Sequence, residues 1–186
     1  MALELARALA ATERNDDYHV ARLLLLLSAH SHGKEKNKSV DGLTKLAKLD
    51  FLLRYPNCLE RALIALNRPV NEAKVKDFER TTIESKMIRF RYGPWDHRYR
   101  RWVALMAAKG LIVVGVIGKT VHLWLTDNGH EVATLLMNSN SYKILIERAA
   151  VVEKRFGTKS GSNLKDFIYA TFPELISMKW GEEIVL

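Results

Sequence analysis

Apolar positions recur along this chain with two different periods, and each stretch of constant period predicts one element. A leucine-rich run from about Asp17 to His30 follows Asp16 and Asp17, either of which can cap a helix N-terminus. A polar, lysine-rich loop over 33–37 separates it from a second helix, Leu43 to about Arg54, which Pro56 ends. Leu43, Leu46, Leu49 and Leu53 share one face of that helix, while Phe51 and Leu52 lie off it. A helix apolar on more than one side is buried between layers or against a partner. Leu59, Ala62, Leu63 and Leu66 then space a third helix, Cys58 to Leu66.

The period shortens to two at 87–92, where Ile88, Phe90 and Tyr92 alternate with Arg89 and Arg91. This predicts a half-exposed strand with both arginines on the solvent face. Gly93-Pro94 breaks the strand, and Asp96 caps a helix that Gly110 ends. Tyr99, Trp102, Val103, Met106 and Ala107 form its apolar stripe; Arg98, Arg101, Leu105 and Lys109 fall toward the other side. Two β-rich runs, Leu111–Ile117 and Thr120–Thr126, flank Gly118-Lys119 as a hairpin with a two-residue turn. Thr126 caps a helix from Asp127 to about Met137. Further helices follow at 141–156 and, capped by Asn163, at 164–171. The apolar end of the chain, from Phe172 through Trp180 to Leu186, either packs back on the domain or docks on another protein.

Together these elements predict a mainly α protein with a small β-hairpin or sheet. Helix, hairpin and closing helix make up the second half of a winged helix, and the upstream helices supply the first. The expected layout is an elaborated winged-helix domain over 1–137, with an insertion at about 56–92, and a helical C-terminal extension over 138–186. Met1 to Ala11 reads as a short amphipathic helix rather than a signal peptide. No apolar run approaches the roughly 20 residues that span a bilayer. A single cysteine, Cys58, leaves no internal disulfide, so a reducing, cytoplasmic setting is expected.

Charge sharpens this picture. The chain is 186 residues with a formal charge of +8, and 86–109 alone holds seven basic residues against one acid, Asp96. A weaker cluster joins Lys34, Lys36, Lys38, Lys45 and Lys48 against Glu35 and Asp41. Mapped on the expected fold, Arg89, Arg91, His97, Arg98, Arg100, Arg101, Lys109 and Lys119 form a surface for double-stranded DNA or for an acidic partner. His97 and Arg98, at the helix start, are placed to reach base edges.

Catalytic chemistry is sparse. Only His30 and His32 are close in sequence, and on a helix they point to roughly opposite sides. Asp50, set among leucines, reads as the ion-pair partner of Lys48, Arg54 or another base. Glu84-Ser85-Lys86 has the E-x-K shape of metal-dependent nucleases but is a common tripeptide. Phosphate-loop, dinucleotide, nucleophile-elbow and zinc-protease motifs are missing from the sequence. No catalytic residue, cofactor or metal site is therefore assigned. Phe51, Leu52, Phe172 and Trp180 exceed what a lone domain of this size needs, which assigns them to a partner interface.

The runs 42–56 (GLTKLAKLDFLLRYP), 89–96 (RFRYGPWD) and 125–129 (LTDNG), with 171–175 (TFPEL) and 181–184 (GEEI) after them, resemble the middle component of ABC-three-component bacterial conflict systems. Lamassu anti-phage and anti-plasmid defence systems include the same kind of subunit. The resemblance spans about residue 17 to the C-terminus. It implies a non-catalytic, kleisin-like accessory subunit that links an SMC/Rad50-like ABC ATPase to an effector, often a nuclease, and that helps grip DNA. A free-standing winged-helix transcription regulator is the alternative and should be a symmetric dimer.

Overall fold

The computed structural model describes residues 15–32, 38–80 and 86–186. The amphipathic helix expected over 1–11, Lys34, Lys36 and Glu84 lie outside the described residues. The chain runs α1 (Asp16–Ser31), β1 (Val40–Asp41), α2 (Leu43–Arg54), α3 (Pro56–Ala65), two short 3-10 turns (Val70–Ala73 and Asp77–Arg80), β2 (Ile88–Phe90), β3 (Gly93–Trp95) and α4 (Tyr99–Ala108). It continues with β4 (Ile112–Ile117), β5 (Thr120–Leu125), α5 (Asp127–Met137), α6 (Lys143–Phe156), α7 (Gly161–Thr171) and α8 (Glu174–Ser177). The protein is mainly helical with a small antiparallel sheet, ordered β1-β5-β4. Val40 stands opposite Leu123, and Ile117 opposite Thr120 across the Gly118-Lys119 turn. Among the described residues no helix is long and apolar enough to cross a membrane.

α2 is the central element. Every residue from Lys45 to Arg54 is buried, because α1, α3, α6, α7 and β3 pack around it. This enclosure accounts for a helix without a polar face. Tyr55 forms the joint, and Pro56 opens α3 at a first-turn position where its missing N–H costs nothing. Phe51, Leu52 and Phe172, expected at a partner interface, are fully buried instead. The Phe51 ring lies 4.9 Å from Tyr55 and 5.5 Å edge-on from Phe172. These side chains fill the protein's own core because α7 and the tail close over α2. Trp180 alone of the four remains outside, 65% exposed.

The tail packs back as a further extended segment. Arg89 N–H donates to the Glu182 carbonyl at 2.8 Å, Ile184 N–H to Met87 at 2.8 Å, and Gly181 N–H to Arg89 at 2.7 Å. Tyr55 OH donates to the Ile184 carbonyl at 3.1 Å and anchors the end of the chain on α2. Gly181, at φ +88°, supplies the left-handed turn that this return requires.

Docking of the tail reverses the expected facing of Arg89, Phe90 and Tyr92, whereas Arg91 is exposed as expected. Arg89 points inward at 9% exposure, its Nε donating to the Leu175 carbonyl at 2.8 Å and its guanidinium lying over the Tyr169 ring. Phe90 and Tyr92 point outward. Gly93-Pro94 is also not a break: both residues belong to β3, which pairs with β2 so that Ile88 faces Trp95. Two caps differ by a few residues. Asn15 caps α1, accepting from the Asp17 and Tyr18 amides, and Ser160 caps α7 through the Asn163 amide.

Candidate nucleic-acid interface

Three elements hold α4 in place. Tyr99, Trp102 and Met106 are fully buried beneath it. Below them lies Asp50, itself fully buried, which accepts from Arg22 Nε at 2.7 Å, Arg22 Nη2 at 3.2 Å, Arg54 Nε at 2.9 Å and Tyr99 OH at 2.6 Å. Burial alone would raise the Asp50 carboxyl, but the two guanidiniums and the hydrogen bonds from Arg22 and Tyr99 hold it below the usual range. Arg54 also reaches Asp96 at 2.8 Å, so one chain of charges ties α1, α2 and the entry to α4. The N-terminus of α1 adds a further tie, Trp102 Nε1 donating to Asp16 at 3.0 Å.

At its other end α4 is locked to the hairpin by residues 125–129. Thr126 Oγ1 donates to the Gly110 carbonyl at 2.6 Å and accepts from the Gly129 amide at 2.9 Å. Asn128 Nδ2 donates to the Lys109 carbonyl at 3.3 Å. Gly129 packs so closely that a Cβ there would lie 2.0 Å from the Leu111 carbonyl oxygen.

The expected basic residues divide into those that build this support and those that face outward. Arg98 belongs to the support: it donates to Asp96 through Nε at 3.0 Å and Nη2 at 2.8 Å, and its guanidinium lies over Trp102. Asp96 accordingly meets three arginine hydrogen bonds and a backbone amide, which outweigh its burial and hold its carboxyl far below the usual range. Arg89 is withdrawn beneath the tail, as described above. His97, Arg100, Arg101 and Lys109 face solvent, interleaved with the exposed Ala104, Ala107 and Ala108. Ala107, expected on the apolar stripe, is one of these. Arg101 pairs with Asp16 at the surface.

Lys119 occupies the hairpin tip and lines a groove of about 500 Å³, together with Tyr92, Lys48 and Lys165. His97, Arg98, Arg100, Arg101 and Lys109 are not part of that lining. Lys165 carried no signal in the sequence, and Lys48 stood only in the weaker lysine cluster and as a candidate partner of Asp50, whose arginine partners are Arg22 and Arg54. Arg91 is exposed and lies over the Tyr92 ring. Beside it Phe90 lies 6.2 Å from Trp95 and 6.3 Å from Trp180, so the outward side of β2 and the tail share an exposed aromatic patch.

Other candidate chemistry is engaged structurally. His30 contacts Glu153 at 2.7 Å and the Ser39 carbonyl at 3.0 Å, whereas His32 turns to Ser28. Among the described residues no group of three or more His, Cys, Asp or Glu is placed to hold a metal ion. Cys58 is fully buried, and burial pushes its thiol up to about 12, which leaves little nucleophilic thiolate at neutral pH. No protein-family model, curated protein or solved structure matches this chain at a significant level.

Proposed function

We propose that this chain is a non-catalytic accessory subunit of a bacterial defence complex that contacts double-stranded DNA through a winged helix. The order α1, β1, α2, α4, β4, β5, with β1 closing the sheet beside β5, fits that architecture. In it α4 is the recognition helix, the β4–β5 hairpin is the wing, and the segment from α3 through β2 is inserted ahead of the recognition helix. One observation carries the DNA reading. The outward face of α4 has Arg100, Arg101 and Lys109 among alanines and no acid of its own, Arg101 pairing with Asp16 of α1 at its edge. Alanines let a helix backbone approach a groove closely, and the arginines supply the phosphate contacts that dominate affinity. The accessory role rests on the resemblance to middle components and on the exposed aromatic patch around Trp180, a surface suited to an SMC/Rad50-like ATPase or an effector nuclease.

The test uses the full chain with Arg100→Glu and Arg101→Glu together. Affinity for duplex DNA at low salt should fall sharply. The slope of log K against log salt should flatten by roughly 0.9 for each phosphate no longer neutralised. Unchanged DNA binding, with loss of co-purifying ATPase or effector, would reassign the face to an acidic protein. A symmetric dimer that binds DNA without either neighbour would replace the accessory reading with a free-standing regulator.

A further inference from the structure

The groove at the hairpin tip has an electrostatic feature that the fold itself does not use. Lys48 lines it, yet the residue is only 2% exposed. Its ammonium donates to the Thr44 carbonyl at 3.0 Å, and among the described residues it forms no ion pair. A buried ammonium has three protons to place and a desolvation penalty to offset, and one backbone carbonyl answers only part of both. The charge that acts on it is another cation, Lys165, on α7. Burial, reinforced by that repulsion, lowers the Lys48 ammonium to about 8. Lys119, at the hairpin tip, adds a third ammonium to the lining.

Backbone donors converge on the same space. α2 starts at Gly42 with no side-chain cap and no acid in its first turn. The Lys45 and Leu46 amides both take the Gly42 carbonyl, and the Leu43 and Thr44 amides precede the first intrahelical bonds. The first turn of α7 abuts this point: a Cβ on Gly161 would lie 3.8 Å from Lys45 Cβ and 3.9 Å from Thr44 Oγ1. Neither helix has an acidic residue in its first turn, so both positive dipole ends face the groove, where Lys165 also pairs with the exposed Asp166 at 3.3 Å. The lining contains one acid, Asp41, and it is already engaged by Ser39 Oγ at 2.9 Å and by His122 at 3.1 Å.

We propose that this groove binds a phosphate group, held by Lys48, Lys165 and Lys119 and by the first-turn amides of α2. Its volume of about 500 Å³ accommodates one phosphate with the sugar attached to it. The phosphate chemistry has two sources, a free phosphate or nucleotide and the backbone phosphodiester of DNA. The proposal does not depend on α4 meeting DNA, because inorganic pyrophosphate reads the groove alone.

The experiment titrates the full chain, and its Lys48→Met and Lys165→Gln variants, with pyrophosphate and separately with duplex DNA. Amide NMR shifts of Leu43, Thr44, Gly161 and Ser162 report the groove. Lys48→Met keeps the buried stem, and Lys165→Gln alters only an accessible end, so the second variant serves if the first is unstable. Pyrophosphate shifts confined to these amides, and lost in the variants, support the site. If Lys48→Met also lowers the DNA salt slope by about 0.9, the occupant is a backbone phosphate. If pyrophosphate shifts the amides and the DNA slope is unchanged, the occupant is a free phosphate. No shift at these amides with either ligand, or shifts that persist in both variants, overturns the proposal. Charge reversal on α4 leaves the pyrophosphate result untouched, so the two proposals fail separately.

Discussion

Asp50→Asn is the sharpest perturbation of the support beneath α4. The substitution keeps the size of the side chain but removes its charge and turns one acceptor oxygen into a donor. It meets two buried guanidiniums, Arg22 and Arg54, and the Tyr99 hydroxyl, all of which need an acceptor at that point. Hydrogen bonds to a charged group contribute roughly 1.5–3 kcal/mol each, but the four here share one carboxylate and do not add. The better guide is the roughly 3–5 kcal/mol lost when one partner of a buried ion pair is removed. Taking about 4 kcal/mol and a urea slope of about 2 kcal/mol/M, the unfolding midpoint should fall by about 2 M. Against a total of roughly 5–15 kcal/mol that is a large fraction, so circular dichroism in urea reads it directly. Acid adds an independent check. The folded carboxyls of Asp50 and Asp96 both lie below their ordinary values, so they stabilise the fold above roughly pH 4. That stability is lost as pH falls through the lowered folded values, and Asp50→Asn should flatten the acid limb. A midpoint shift corresponding to less than about 1 kcal/mol would refute the account, because it would mean Arg22 and Arg54 do not need this carboxylate.

Two further substitutions separate packing from partner contact. Gly129→Ala forces a Cβ into the Leu111 carbonyl and should cost roughly 3 kcal/mol in chemical denaturation, and an unaltered midpoint would contradict the tight junction between α4, hairpin and α5. Trp180→Ala removes an exposed ring and should leave stability within roughly 0.5 kcal/mol while weakening assembly by about 2 kcal/mol. Assembly read by co-purification that is indifferent to Trp180→Ala would remove the aromatic patch from the interface.

Much of the element order was legible because local signals agreed with the tertiary outcome. α2 matches its leucine pattern from Leu43 to Arg54, and the β4–β5 hairpin matches its two-residue Gly118-Lys119 turn. Thr126 caps α5 as its position before Asp127 suggests. The misreadings share a different cause. Period two at 87–92 establishes alternation but leaves open which side is buried. That choice is made by the tail some 90 residues downstream, which brings Glu182, Ile184 and the Leu175 carbonyl to the Arg89 side of β2. Phe51, Leu52 and Phe172 were misassigned for a related reason. A surplus of apolar side chains reads equally as interface or as core until the packing of α6 and α7 on α2 is known.

The basic residues carry the same lesson to the candidate site, since charge in a sequence does not say what the charge opposes. Arg98 and Arg100 stand two residues apart at the start of α4, yet helical rotation sends them to different environments. Arg98 closes on Asp96 and Trp102 and so helps hold the helix, while Arg100 faces solvent. A net charge over 86–109 therefore overstates the surface available to a polyanion. Lys48 errs in the opposite direction. In sequence it is one lysine among leucines, and only the docking of α7 brings Lys165 toward it and the β3 backbone over its stem, where a Cβ on Gly93 would lie 3.7 Å from Lys48 Cε. A carboxylate within reach marks a buried cation as structural, but its absence marks a binding one only where the cation also lines an open groove, which Arg89 beneath the tail does not. Arg22, Arg54 and Arg148 each meet one within 2.9 Å. Lys48 meets none among the described residues and lines the groove beside Lys165 and Lys119, and these two facts together, rather than the count of basic residues, direct the phosphate proposal there.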